Sequence, residues 1–375
     1  MKYRIFPKTG DPISLLGLGT MRMPSHGDGK LDHQESVRLI QRAIDLGVNY
    51  VDTAYMYHDG ESEIVVGKAL KEGYREKVFL ADKMPVWLAK DEKEMKELFE
   101  EQFRRLNVEG IDFYLVHNIT VPIWKRAKKY GLMNFLEEQQ KKGRIRHVGF
   151  SFHDDVGFFE EVLKEYPWDF CQIQLNYMDR DFQAGVKGLK MAKEMGIPTM
   201  VMEPLKGGKL TDRVPDSVKR LWEGAQVKRT PAEWALRWVA DFPEVVTILS
   251  GVHTMEQLEE NIKILSEAEP NTLTEKEKRV IERVAAEYNQ LIEYACTGCK
   301  YCLPCPVKLD IPTVIDLLNQ HRLYEGNEKV QQDYDLWFGQ ERRASACVSC
   351  GQCEEKCPQS LPIIEIMKKA SAIFD

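Results

Sequence analysis

From residue 13 to about 265, short runs of β-branched and aliphatic residues alternate with longer, charged segments of helical period. That alternation is the mark of repeated βα units. Eight strands are expected, at Ser14 to Leu18, Tyr50 to Thr53, Val78 to Ala81, Ile111 to Val116, Ile145 to Phe150, Phe170 to Gln174, Pro198 to Met202 and Val245 to Leu249. Several of the helices between them carry a stop signal. Glu35 to Leu46 runs into Gly47, Met133 to Lys142 into Gly143, and Ala184 to Met195 into Gly196. A glycine just past a helix supplies the left-handed stop. Glu92 to Leu106 is a further amphipathic helix.

Eight strands alternating with eight helices over ~250 residues close most economically into a (β/α)8 TIM barrel, whose sheet has no exposed edge. The competing fold is a doubly wound open sheet. That sheet would carry G-x-G-x-x-G after its first strand to bind a dinucleotide, and Gly17-Leu18-Gly19-Thr20-Met21-Arg22 lacks the third glycine. A barrel is therefore expected, with any cofactor held in another way.

Glu275 to Glu293 reads as one more helix, rich in Glu, Lys, Ala and Leu, and it leads into Cys296. The expected division is a barrel over residues 1–270, a connector helix over 271–294, and a small α-helical, bacterial-ferredoxin-like iron-sulfur domain over 295–375.

Composition narrows the class. Of the 375 residues, 43% are hydrophobic and 30% charged, which is material for a globular core and a solvated surface. A formal charge of -7 speaks against a nucleic-acid partner, because phosphate contacts need clustered Lys and Arg. The local run Lys125, Arg126, Lys128 and Lys129 reads as a solvated helix end. No stretch reaches ~18 uncharged apolar residues, so no membrane span is expected, and Met1 to Lys8 lacks the apolar core of a signal peptide. A cytoplasmic location follows as the expectation.

Eight of the nine cysteines lie between residues 296 and 357. They read Cys296-x2-Cys299-x2-Cys302-x2-Cys305-Pro306 and Cys347-x2-Cys350-x2-Cys353-x3-Cys357-Pro358. The second run has the bacterial ferredoxin spacing, in which the cysteine before proline serves the other cluster. Two 4Fe-4S clusters are expected, one on Cys296, Cys299, Cys302 and Cys357 and the other on Cys347, Cys350, Cys353 and Cys305. The alternative is a pair of four-cysteine zinc sites. Zinc ribbons use separated C-x2-C pairs, whereas a continuous run before proline favours iron and sulfide. Cys171, alone in a strand, reads as a small buried apolar residue.

Catalytic groups of a (β/α)8 barrel sit at the C-terminal ends of its strands. The second strand runs into Asp52-Thr-Ala-Tyr-Met-Tyr57, the third into Asp82-Lys83, and the fourth into His117-Asn118. Asp, Tyr, Lys and His at one mouth suit carbonyl reduction. Tyr57 would donate a proton to the developing alkoxide, and Lys83 would lower its pKa. Asp52 would orient Lys83, and His117 would hold or polarise the carbonyl. Each residue alone has an ordinary structural reading, since buried Asp–Lys pairs often serve packing. Trp87, Trp124 and Phe152 follow strands and are candidates for lining the mouth.

On these residues the sequence resembles the aldo-keto reductase family over positions 1 to about 266. The resemblance rests on Asp52-Thr-Ala-x-x-Tyr57, Gly60-x-Ser62-Glu63-x3-Gly67-Lys68-Ala69-Leu70, Lys83 and Asp112-Phe-Tyr-Leu-Val-His117. Further matches are Gly149-Phe-Ser151, Gln172-x-Gln174-x-Asn176-Tyr177, Pro204-Leu205-x-Gly-Gly208, and Ser250-Gly251 followed by Glu256-Gln257-Leu-x-x-Asn261. It implies a TIM barrel, NADPH or NADH bound without a Rossmann fingerprint, and the same four catalytic roles. It also implies that Ser151 and Gln172 bind the carboxamide and that Gly251 to Asn261, with Gln257, take the adenosine end. Gly19, Thr20, Met202, Pro204 and Leu205 complete the implied cofactor set, with Met202 where many relatives stack an aromatic residue. Two other departures are Phe152 after Ser151, where many have Asn, and Gly251 and Gln257 in place of basic residues for a 2′-phosphate. With its cysteine-rich tail the chain resembles the ferredoxin-fused branch of that family.

Three readings result. The first is an NAD(P)H-dependent reductase of a small-molecule aldehyde or ketone. In the second the clusters exchange single electrons with a redox partner protein or a bound flavin, since hydride moves two electrons together and each cubane usually one. In the third the clusters are structural staples for a small domain with few large apolar residues.

Overall fold

The computed structural model describes residues 1–27, 30–211, 214–323, 328–339 and 342–375. The chain divides into two compact units, Met1–Leu205 with Ala232–Leu273, and Lys206–Pro231 with Thr274–Asp375.

The first unit opens with an antiparallel hairpin of β1 (Tyr3–Phe6) and β2 (Asp11–Ser14). Eight parallel strands then close a barrel: β3 (Leu16–Gly19), β4 (Tyr50–Asp52), β5 (Phe79–Met84), β6 (Ile111–Ile119), β7 (Ile145–Phe152), β8 (Phe170–Gln174), β9 (Thr199–Met202) and β10 (Val245–Ser250). They pair in chain order, and β10 returns to β3. Helices that follow the strands include His33–Asp45, Glu61–Ala69, Glu92–Leu106, Leu132–Lys141, Val156–Glu165, Gly185–Glu194 and Met255–Ser266. Many start at a side-chain cap. Asp32, Asp91, Asp155 and Thr254 each accept a bond from a backbone N–H in the first turn, satisfying a donor that the helix leaves unpaired.

The barrel and its order match expectation, and the differences have local causes. The expected first strand, Ser14 to Leu18, is divided between the end of β2 and β3. The hairpin was not expected, because its outer residues Tyr3 and Ile5 are exposed and obscure the pattern. Its inner residues Phe6 and Ile13 are fully buried against Tyr50, Phe113, Phe170 and Met200, near the N-terminal ends of their strands, and form the barrel floor. Strands β5, β6 and β7 run past their expected ends to include Lys83, His117 and Ser151. Polar side chains there end the apolar signal while the ladder continues. At Gly67 the helix Glu61–Ala69 comes so close to the end of Glu92–Leu106 that a Cβ would stand 2.3 Å from the Leu106 carbonyl oxygen.

The second unit differs from the expected domain limits in one segment, for Lys206–Pro231 belongs to it. Its helix Asp216–Glu223 packs on Glu275–Leu291, the expected connector. Arg229 pairs with Glu277 at 2.6 Å, and Thr274 and Glu277 cap the connector reciprocally. The expectation of few large apolar residues is also corrected. Helices Ile311–Leu323 and Ile363–Phe374 pack together around a core that includes Leu317, Tyr334, Ile366 and Met367. Tyr334 stacks on Phe374 with ring centroids 4.7 Å apart. No described helix is long and apolar enough to cross a membrane.

Candidate active site and cysteine cavities

The ends of β4, β5 and β6 bring the four expected residues together. Lys83 is 1% exposed, and its Nζ donates to Asp52 Oδ1 at 2.6 Å and to the Thr53 carbonyl at 2.7 Å. The same nitrogen lies 3.4 Å from the Tyr57 hydroxyl and 5.0 Å from the centre of the Tyr57 ring. The His117 ring is buried and meets Tyr57 edge-on, with centroids 6.2 Å apart. The Trp87 ring stands 5.0 Å from that of His117, which places this tryptophan beside the site.

Tyr57 owes its position to a tight turn. Its N–H donates to the Ala54 carbonyl at 3.1 Å, and the next two residues, His58 and Asp59, adopt φ values of 51° and 54°. His58 Nε2 accepts from the Met23 N–H at 3.2 Å, and the Arg105 guanidinium lies 3.9 Å over the Tyr55 ring. Asn118, after His117, and Glu203, after Met202, also have positive φ, 55° and 57°. Left-handed conformations at non-glycine residues are unfavourable, and their recurrence at the strand ends marks a site whose geometry is imposed.

Burial pushes the Tyr57 phenol well above its ordinary value, and the carboxylates of Asp52, Glu203 and Asp82 push the same way against Arg22. The net direction is thus upward, with Lys83 Nζ bonded to Asp52 as well as facing the phenol. Burial also raises the Asp52 carboxyl, opposed by the charge and hydrogen bond of Lys83. His117 is held well below the ordinary histidine value by burial first, then by Lys83 and His153, so its imidazole is neutral. Burial lowers His153 itself to about 4. The site thus combines a protonated phenol, a buried cation and a neutral imidazole, the parts of a proton donor with a polarising neighbour.

The expected carboxamide residues follow on the next strands. Ser151 on β7 pairs in register with Gln172 on β8, and Ser151 Oγ accepts from the Asn118 N–H at 2.8 Å. Gln172 Nε2 reaches Met202 Sδ at 3.6 Å, while its buried Oε1 and the Asn118 Oδ1 have no hydrogen-bond partner among the described residues. Two orphaned buried acceptors beside a serine hydroxyl fit a primary carboxamide, which brings two N–H donors. Pro204 is buried, and Leu205 is the last residue before the chain enters the second unit.

The other expected cofactor residues are engaged in the framework. Gly19 pairs in register with Asp52. The Thr20 hydroxyl donates to the Asp52 carbonyl at 2.9 Å and meets Ser62 Oγ at 2.8 Å. Asn261 Nδ2 donates to Ser250 Oγ at 3.1 Å, and Gln257 Oε1 accepts from the His253 N–H at 2.9 Å. A Cβ on Gly251 would lie 3.0 Å from Arg22 Cβ. Arg22, Asn118, His153 and Glu203 were missed from sequence. The available signal was their place in the last two residues of a strand, for Asn118, or one to three residues past a strand end, for the others.

Two of the expected mouth aromatics lie elsewhere. Trp124 is buried against Trp168 with Nε1 on Glu165 at 2.7 Å, and Phe152 is fully buried among Phe150, Phe158 and Phe159. Both extend apolar clusters, which a position after a strand does not reveal. Cys171 is fully buried beside Thr199, and burial pushes its thiol up to about 12, as suits an inert packing residue.

In the second unit the eight clustered cysteines surround two cavities. One is lined by Cys296, Cys299, Cys302 and Cys357, together with Thr297, Pro358 and Gln359. The other is lined by Cys305, Cys347, Cys350 and Cys353, and Cys302 lines both. Among the described residues no three His, Cys, Asp or Glu side chains gather tightly enough to hold one metal ion. Four thiols spread around each cavity suit a cluster of several irons.

Comparison with known proteins agrees with both halves. Residues 15–284 match the Aldo/keto reductase family, and residues 295–362 match the 4Fe-4S dicluster domain. The NADH-specific methylglyoxal reductase of Escherichia coli (strain K12) is 29% identical over 300 residues, 68% of this chain and 90% of that protein. The aldo-keto reductase YhdN of Bacillus subtilis (strain 168) is 28% identical over 324 residues, 76% of this chain and 93% of that one. A holo-form aldo-keto reductase structure from Bacillus halodurans superposes with a TM-score of 0.62 at 27% identity, covering 76% of this chain and 96% of that chain. The chain belongs to the aldo/keto reductase family and is an oxidoreductase barrel followed by a 4Fe-4S dicluster domain.

Proposed function

We propose that the barrel reduces an aldehyde or ketone with a nicotinamide dinucleotide, Tyr57 giving its proton to the carbonyl oxygen. The observation that carries this reading is the buried Lys83 Nζ, anchored on Asp52 at 2.6 Å and reaching the Tyr57 hydroxyl at 3.4 Å beside neutral His117. A reduced nicotinamide, when bound, supplies the hydride to the carbonyl carbon. Ser151, Gln172 and Asn118 would hold its carboxamide, with Met202 against the ring. Tyr57 protonates the oxygen, Lys83 stabilises the phenolate left behind, and His117 donates a hydrogen bond to the same oxygen. Carbon gains hydride, oxygen gains a proton, and the product is an alcohol.

Gly251 and Gln257 replace basic residues that suit a 2′-phosphate, which favours NADH. The Escherichia coli relative's name makes methylglyoxal, a small 2-oxoaldehyde, the first substrate to try. Each cysteine cavity would take one 4Fe-4S cluster, and such oxygen-sensitive ligation suits the reducing cytoplasm. A second reading, single-electron exchange with a partner, is favoured by one observation. Cys350 is exposed and neighbouring Val348 is 61% exposed, so the second cysteine set opens at the protein surface.

The test is dinucleotide oxidation by anaerobically purified protein against methylglyoxal and other carbonyls. Tyr57→Phe should lower turnover by at least ~100-fold. Full turnover of every accepted carbonyl by that variant would sink the assignment.

A further inference from the structure

Strand β5 continues where its neighbour stops. The β4–β5 ladder ends at Asp52 opposite Ala81, and β4 then turns away through Thr53, whose N–H still reaches the Ala81 carbonyl at 3.0 Å. In a parallel ladder, alternate residues present both backbone polar groups to one neighbour. Phe79 and Ala81 face β4 in this way, and Lys83 is next in the series, one step beyond the last rung.

Side chains occupy the place of the missing strand. The Lys83 N–H donates to Asp82 Oδ1 at 2.8 Å, and the Lys83 carbonyl accepts from Gln102 Nε2 at 3.0 Å. The same amide nitrogen donates to Asp82 Oδ2 at 2.8 Å. Gln102 is held in turn by the Tyr114 hydroxyl, which donates to its Oε1 at 2.5 Å. Asp82, Gln102 and Tyr114 are all fully buried. Behind them Glu63, also fully buried, is paired with Arg105 at 3.0 Å.

Burying carboxyl and amide groups is unfavourable, and an apolar replacement of similar volume is often no less stable. Stability alone is a weak reason for such a network. Geometry is a stronger one, because Lys83 must meet Asp52, Thr53 and Tyr57 from a single nitrogen.

We propose that Asp82 and Gln102 are positioning residues: they replace the absent β4 partner, fix the Lys83 main chain, and so hold its ammonium between Asp52 and Tyr57. The inference rests on the reading of Tyr57 as proton donor. Neither residue touches substrate, so their loss acts on kcat through Lys83.

The experiment uses the full-length, cluster-loaded protein with methylglyoxal and NADH, and Tyr57→Phe is run beside every variant. Gln102→Leu and Asp82→Ala should each lower kcat by on the order of 10- to 100-fold, with KM and dinucleotide Kd changed by less than about 3-fold. The alkaline limb of the kcat profile should move in both, since the contact between ammonium and phenol loosens. Asp82→Asn keeps an acceptor for the Lys83 N–H and should recover much of the lost rate. Tyr114→Phe removes one hydroxyl, keeps the fold, and should lower kcat by a few-fold, about 3 to 10. Wild-type kcat and an unmoved pH limb in Tyr114→Phe and Gln102→Leu would overturn the proposal. So would a loss confined to KM or to melting temperature. If those variants are unaffected while Tyr57→Phe is inactive, positioning alone fails; if Tyr57→Phe also turns over, the underlying reading fails.

Discussion

Lys83 Nζ lies 2.6 Å from Asp52 Oδ1 in a pair with almost no solvent exposure, and it meets Tyr57 only at 3.4 Å. The cation is therefore committed to a carboxylate before it acts on the phenol, and the resting site holds Tyr57 protonated. Lys83→Met would leave Asp52 buried without its counter-charge. Breaking such a pair from one side costs about 3–5 kcal/mol.

Reduction should be insensitive to pH through the neutral range. The donor must be protonated, and Tyr57 is held well above the ordinary tyrosine value. The polarising histidine must stay neutral, and His117 is held well below the ordinary histidine value. A profile of kcat/KM for carbonyl reduction should be flat from about pH 6.5 to about pH 9 and fall on the alkaline side. An acid limb near the ordinary histidine value would contradict the assignment of His117.

The Asp82–Glu63 pair should make stability fall as pH rises. Burial lifts both carboxyls, and Glu63 lifts Asp82 further, while hydrogen bonds from Asp82, Arg105 and Gln102 oppose the shift at Glu63. With the folded value above the unfolded one, the unfolded chain loses its proton first. The pair's contribution is therefore full below the ordinary carboxylate range and declines as pH rises through the raised folded value. Glu63→Gln should remove part of that decline. Melting temperatures should show the variant gaining on wild type as pH rises above the ordinary carboxylate range. A difference that does not change with pH would count against the raised carboxyls.

Gln172→Leu should weaken dinucleotide binding. Its buried Oε1 has no partner among the described residues, so a carboxamide N–H would satisfy it. The loss should be about 10-fold in Kd by dinucleotide fluorescence titration, near the worth of one hydrogen bond to a buried acceptor. Unchanged Kd would remove Gln172 from the binding set.

The two cysteine sets make a prediction about iron. Cys357→Ser should lower iron and sulfide by roughly half, and adding Cys296→Ser should lower them little further, because both line one cavity. Cys357→Ser with Cys350→Ser should remove nearly all, because these thiols line different cavities. Iron analysis and electron paramagnetic resonance of the reduced variants check this. The reverse pattern of additivity would break the crossed assignment.

Strand order and the Asp52, Tyr57, Lys83 and His117 quartet were legible in sequence because period-two apolar runs and special polar residues fell at fixed places. The grouping of Cys357 with the first cysteine run, and of Cys305 with the second, around two cavities was expected because Pro306 and Pro358 mark the cysteines that leave their own runs. What was hidden depends on partners distant in the chain. Gln102 sits on the helix Glu92–Leu106 as one more polar residue, and only the fold brings it to the Lys83 carbonyl at 3.0 Å. Trp124 and Phe152 follow strands as mouth residues do, yet aromatic neighbours from other elements bury them. The net upward direction at Tyr57 was hidden because it comes from burial and from the carboxylates of Asp52, Glu203 and Asp82, which only the fold brings to the phenol.

The crossing of the cysteines also sets an order of events during synthesis. Cys296, Cys299 and Cys302 are made early in the tail, but the fourth thiol of their cavity is Cys357, in the second cysteine run. The other cavity waits for Cys347, Cys350 and Cys353 although Cys305 is already present. In that arrangement neither thiol set is complete until the second cysteine run has been made. Loading of a complete set would therefore follow synthesis of the whole barrel, and a chain cut short before Cys347 would carry a barrel with neither cavity fully lined by thiols.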